Sequence, residues 1–281
     1  MPLRLVLVLA LVLVLVLKAR TENFPMMVML EQSLAHPQGE PLATEASVEH
    51  WQALAAASPH GPAFLPPARG TVYGTLLNHR DALAALGNQM NAAPYKAPPQ
   101  APILYIKPRN TVVGHRVPVV VPTDAAELEM GATLGIVIGR TASRVSASEA
   151  LGFVAGYTVV NDISVPHASV YRPSMRFKCR DGFCPMGPAV VARARVPDPD
   201  ALSIALAIDG QTVQRSSTAG LIRPVATLIA DVTEFMTLFP GDVLTVGVAA
   251  GAPRARAGQT VTIAIHGVGR LENTLVAGDA S

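Results

Sequence analysis

Gly131–Ser164 reads GATLGIVIGRTASRVSASEALGFVAGYTVVNDIS. Its first part, ATLGIVIGR, is an almost unbroken apolar run closed by a glycine, the pattern of a strand buried on both faces. Further on, Ser146 stands three residues before Glu149, a capping-box spacing that predicts a helix over SASEALGFVAGY, with Gly156 as its stop. The chain then enters YTVVNDIS, a strand that turns polar at its end. Strand, short helix and strand in about thirty residues set the expectation for the rest.

Outward from this stretch, strand signals dominate. GTVYGTLL, APILYIKP and HRVPVVVP read as strands on the N-terminal side, with a short helix over RDALAALGNQM. On the C-terminal side, LSIALAIDGQTVQRSST alternates on both flanks of Asp209-Gly210, which predicts a hairpin with a type I′ turn. PVATLIADVTEFMTL has apolar residues at helical spacing, with Pro224 at its start and Pro240-Gly241 beyond its end. DVLTVGVA and QTVTIAIHGVGRLENTLV complete the strands. Many short strands and few helices indicate a mixed β or α+β architecture, not a doubly wound sheet.

Before Gly70 the pattern differs. Residues 1–20 hold an apolar run from Leu5 to Leu17, too short to span a bilayer comfortably. Lys18 and Arg20 follow it directly, without an A-x-A-like cleavage site. A weak anchor, an unusual signal and a gene start placed too far upstream all remain open, and membrane contact is expected only if this segment is present. Residues 21–69 lack a sustained period and read as a poorly ordered extension, with a short helix over VEHWQALAAA. The folded domain is expected over 70–276, with 277–281 as a tail.

Half of the 281 residues are apolar, 15% are charged, and the net charge is +2. That balance carries no electrostatic footprint for nucleic acid. Cys179 and Cys184 lack CxxC spacing and have no second Cys/His pair nearby, so two reduced thiols are expected in a cytoplasmic protein. There is no GxGxxG after a strand, no P-loop and no HExxH. The chemistry-bearing stretch is Tyr171–Pro188, YRPSMRFKCRDGFCPMGP, which gathers Arg172, Arg176, Lys178, Arg180 and Asp181. Such a basic segment can attract an anion, or its charges can pair within the loop as ordinary salt bridges.

YIKPRNTVVGH, then GIVIGRTASRVSASEALGFVAGYTVVNDIS, then FKCRDGFCPMGP, with FMTLFPGDVLTVG and HGVGRLEN behind them, resemble the fumarylacetoacetate hydrolase family in linear order. LLNHR, APYKAPP, IKPRNTV and KCRDGFCP look like its branch of bifunctional isomerase/decarboxylases of 4-hydroxyphenylacetate and homoprotocatechuate breakdown, in the N-terminal half or first subunit. The resemblance implies a β-roll-like fold with a few short helices. It also implies a divalent cation, usually Mg2+, at the mouth of the sheet, and 2-oxo di- or tricarboxylate substrates. A hard cation chelates such a head and stabilises the enolate formed when CO2 leaves or a proton migrates.

Matched residue by residue, the chain departs from that pattern. Gly131 and Thr133 stand where the family has a Glu-x-Glu metal pair, and Asp162 alone matches a ligand. Glu127 and Glu129 are the only nearby candidates for shifted ligands, and both lie upstream of the apolar run. Ala82 and Ala85 replace the family's His and Glu, and His79 takes a position usually aromatic. Pro166 replaces an arginine, and Val248 replaces a carboxylate-binding threonine.

Lys178 matches the family lysine that faces cation and substrate. Lys178 and His167 are the expected catalytic residues, His167 because it is the free titratable group following the Asn161-Asp162 pair and is poised near neutral pH. Lys107, Arg172, Arg176 and Arg180 are the expected substrate-binding cations, and Asp181 the loop anchor. A homo- or hetero-oligomer with a sister subunit of the same fold follows from the resemblance. Two roles are open: a decarboxylase/isomerase subunit, or a non-catalytic scaffold for a metal-bearing sister.

Overall fold

The structure, a computed structural model, describes residues 64–167 and 174–278. The apolar N-terminal segment, the expected helix over VEHWQALAAA and Arg172 lie outside the described residues. Helices and strands follow the order β1 (Val72–Leu76), α1 (Arg80–Leu86), β2 (Ile103–Lys107), β3 (Val112–Val113), β4 (Val119–Val121), β5 (Leu128–Glu129), β6 (Ala132–Ile138) and β7 (Val154–Asn161). Then come α2 (Met175–Lys178), β8 (Cys184–Ala192), β9 (Ser203–Ile208), β10 (Gln211–Ser217), α3 (Val225–Phe235), β11 (Val243–Thr245), β12 (Arg254–Ala255), β13 (Thr260–Ile265) and β14 (Gly269–Ala277).

Among the described residues the strands form a seven-stranded sheet, β2-β1-β11-β6-β7-β8-β3, a five-stranded sheet, β10-β9-β13-β14-β4, and a β12-β5 pair. Pairing is mixed: β1/β11, β3/β8 and β14/β4 are parallel and the others antiparallel. This is the expected sheet-dominated fold. β6 lies at the middle of the larger sheet and is buried along its whole length, as its apolar run requires. A large core joins its inner face to β13, β14 and α3. On α3 the buried residues Val225, Leu228, Ile229 and Val232 recur at i, i+3, i+4 and i+7, each contributing about 1.5–3 kcal/mol of burial.

Three local expectations meet different outcomes. Asp209 and Gly210 have φ of 49° and 79°, as a type I′ turn demands. The helix expected over residues 146–156 is absent: a single 3-10 turn spans Ala150–Phe153, and Gly156 is inside β7. Ser146 Oγ donates to the Glu149 carboxylate at 2.6 Å instead of capping a backbone amide. Pairing of Ile138 with Val154 and of Val137 with Gly156 draws the segment into the sheet before a helix can lengthen. Ordered packing also begins before Gly70. Phe64 N donates to the His115 carbonyl at 2.9 Å, and Ala68 is buried against Val72 and Val243.

His115 is buried, and its Nδ1 accepts from Glu272 N at 3.0 Å, which requires the neutral ring. Burial, with Arg116 adding to it, lowers its pKa from 6.5 to about 4. The unfolded chain therefore binds the proton more readily between these values, and stability falls as pH drops from 6.5 towards 4. We expect a loss of about 2 kcal/mol across that window after solvent screening. Urea unfolding at pH 7, 5 and 4 checks it, and His115→Asn should flatten this part of the profile.

Candidate active site

Tyr105 and Lys107 are two residues apart on β2, an edge strand of the large sheet, and so share a face. Tyr105 lies over Gly74 of β1, where a Cβ would come within 2.0 Å of its ring. Asp162 follows β7, and Lys178 ends α2. These four side chains meet. The Tyr105 hydroxyl donates to Asp162 Oδ2. Lys178 Nζ donates to the same oxygen at 3.0 Å and stands 4.8 Å from the centre of the Tyr105 ring.

Lys107 Nζ lies 2.8 Å from Asp162 Oδ1, but its three protons go to backbone carbonyls. Those acceptors are Ile163 O at 2.7 Å, Lys178 O at 2.8 Å and Phe183 O at 2.9 Å. The Oδ1 contact is thus ionic, without a hydrogen bond of its own. Lys107 is 2% exposed and has no donor left for a ligand, so the expected substrate contact gives way to an internal staple.

Burial by itself would raise the Asp162 pKa, but the charges of Lys107 and Lys178 override it and hold the carboxyl well below the usual carboxylate range. Burial, and then the Asp162 charge, raise the Tyr105 hydroxyl well above its ordinary value, so it stays protonated as a donor. Burial also lowers Lys107, against the pull of Asp162. The Cys184 thiol is pushed up to about 12 by burial; both cysteines are free, as expected.

The remaining predicted residues are placed differently. Arg180 forms a two-pronged pair with Asp124 at 2.6 and 2.8 Å, and Arg176 lies 3.9 Å from the same carboxylate. Among the described residues neither bonds to the buried cluster. Asp181 accepts from Asn110 Nδ2 at 2.7 Å and anchors its loop. His167 Nδ1 donates to the Val165 carbonyl at 2.9 Å, while its ring stacks on Phe177 at 5.0 Å; no described bond joins it to Asp162 or Lys178. Glu127 and Glu129 are drawn to Arg254, at 2.9 and 3.5 Å, and so are not shifted ligands. Tyr105 is the residue that sequence reasoning missed, although its place two residues before Lys107 signals the shared face.

The fold and this buried acid–lysine cluster define a family. Residues 71–276 match the family model of the fumarylacetoacetate (FAA) hydrolase C-terminal domain, and the chain belongs to that family. It is 40% identical over 211 residues to the 4-hydroxyphenylacetate degradation bifunctional isomerase/decarboxylase of Salmonella dublin, covering 75% of this chain and 48% of that one. The chain thus spans about half the length of the curated relatives it matches at 38–40% identity.

The solved 5-carboxymethyl-2-hydroxymuconate delta-isomerase of Mycobacterium smegmatis is 31% identical, with a TM-score of 0.67 over 78% of this chain and 83% of that one. Fumarylpyruvate hydrolase of Pseudomonas aeruginosa, in complex with Mn2+ and pyruvate, is 25% identical, with a TM-score of 0.66 over 78% of this chain and 94% of that one. A divalent cation therefore accompanies this fold in a relative.

The donors in this chain do not fit such a cation. Among the described residues no three His, Cys, Asp or Glu side chains are grouped to hold a metal. Gly131 brings no side chain, and the buried Thr133 hydroxyl is spent on the Gly247 carbonyl at 2.7 Å. Asp162 is already matched to two ammonium groups and a phenol.

Proposed function

We propose that this chain is a subunit of a cytoplasmic decarboxylase/isomerase for the linear 2-oxo di- and tricarboxylates left by aromatic ring cleavage. The substrates would be 5-oxopent-3-ene-1,2,5-tricarboxylate for decarboxylation and 2-hydroxyhepta-2,4-diene-1,7-dioate for isomerisation, as in 4-hydroxyphenylacetate or homoprotocatechuate breakdown. One observation carries the reading: the Lys178 ammonium is nine-tenths buried beside Asp162, yet among the described residues it bonds to a single acceptor. Its role is to offset negative charge as an enolate develops, the strongest contribution such a preorganised group makes. Asp162 and Tyr105 hold Lys178 in place, and Lys107 holds Asp162. Arg176 and Arg180, tied to Asp124, contribute approach of the anion, not its final contacts.

A second reading has its own support in Gly131 and Thr133. With no carboxylate pair, the chain would serve as a scaffold for a sister subunit that carries the glutamates and Mg2+. The chain's span of half its relatives' length is consistent with such a partner.

The experiment is an assay of the purified full chain alone on both substrates, following CO2 release and diene absorbance, beside Lys178→Gln. Turnover by the chain, reduced at least about tenfold in the variant as loss of a charged hydrogen bond predicts, supports the first reading. No turnover from folded protein, with activity appearing on addition of a sister chain that has the glutamate pair, favours the second.

A further inference from the structure

We infer that the site of this chain takes a 2-oxo carboxylate head without any divalent cation, on the Lys178 ammonium. The inference deepens the proposed function and rests on its view of Lys178 as the substrate-facing cation.

A Cβ at Gly131 would fall 2.5 Å from the Asp162 carbonyl oxygen and 3.0 Å from Val248 Cγ2. The backbone cannot retreat easily, because Asp162 N donates to Gly131 O at 2.8 Å. A side chain at this position would therefore require the Asp162 backbone to shift, so the position does more than merely lack a glutamate. Thr133 is turned to the Gly247 carbonyl on the neighbouring strand end, which removes the second position.

Two glutamates and a dication sum to −2 + 2 = 0, so their joint loss leaves the site's net charge unchanged. What remains is Asp162 at −1 with Lys107 and Lys178 at +1 each, a sum of −1 + 1 + 1 = +1. The attraction for an anionic head survives without the metal. A cation placed at ligand distance from Asp162, about 2.0–2.6 Å, would instead crowd two ammonium groups that already touch both carboxylate oxygens.

Lys107 spends all three protons on carbonyls, whereas among the described residues Lys178 spends one, on Asp162 Oδ2. Two N–H donors on a residue only 9% exposed are left for a ligand.

The test uses oxalate, the dicarboxylate that mimics the pyruvate enolate, titrated calorimetrically into the full chain. One arm is dialysed against EDTA, and a second contains Mn2+ equimolar with the protein, with Mn2+–oxalate complexation corrected from a protein-free titration. Equal affinity in both arms, within about twofold, is the expected result, together with a loss of at least about tenfold in Lys178→Gln and near-native binding in Lys178→Arg. Binding seen only with Mn2+, or a Lys178→Gln affinity equal to that of the unaltered chain, overturns the inference. The comparison of arms uses the unaltered chain, so it decides the matter even if Lys178→Gln does not fold. Metal-free oxalate binding without turnover of either proposed substrate would overturn the assigned reaction and leave this inference standing.

Discussion

Lys107→Met lowers stability by about 3–5 kcal/mol, a drop in melting temperature of roughly 10 °C for a domain of this size. Methionine fills nearly the same space, so the cost comes from lost polarity and not from a cavity. Ile163 O, Lys178 O and Phe183 O lose their shared donor in a place that water reaches poorly. These carbonyls lie just beyond β7, at the end of α2 and just before β8, so one ammonium ties three segments together. Lys178→Gln should cost far less, about 1 kcal/mol, because Lys107 still balances Asp162 and Lys178 is partly wetted. Urea denaturation of both variants at pH 7 makes the comparison. Similar losses from the two would mean that Lys107 is not the staple described.

The contrast between the lysines marks what sequence could and could not reveal. A lysine in YIKP announces a charge beneath a strand, but its acceptors come from residues 56 to 76 positions away. Nothing local distinguishes a staple from a substrate contact. Tyr105 was hidden for a related reason: an aromatic residue in an apolar strand reads as core, and only the arrival of Asp162 from β7 gives its hydroxyl a purpose. The central strand β6 was legible because burial on both faces writes itself into an unbroken apolar run. Residues 146–156 were misread because a capping signal is local, and strand pairing across Val137–Gly156 outweighs it. The absent glutamates were legible from the resemblance. That Gly131 has no room for one was not, since its obstruction is the backbone of Asp162, thirty-one residues on.

Asp162→Asn is the second large effect, again about 3–5 kcal/mol at pH 7, because it strands two buried ammonium groups without a counter-charge. Asparagine keeps the shape but turns one end into a donor, facing either an ammonium or the Tyr105 hydroxyl, itself a donor. The pH dependence follows from the depressed acid. Asp162 is held below its unfolded value, about 3.9, so its contribution is complete above pH 4 and is lost as pH falls through the folded value. Native and variant stabilities should therefore converge below pH 4. Raising the pH should return stability to the variant, whose Lys107, already lowered by burial, loses Asp162 as the partner that favours its charged form. The double variant Asp162→Asn/Lys107→Met should lose less than the sum of the two single losses, since each single change exposes the same broken charge balance. Strict additivity in that cycle would place the two residues in separate networks and remove the physical basis for a +1 site.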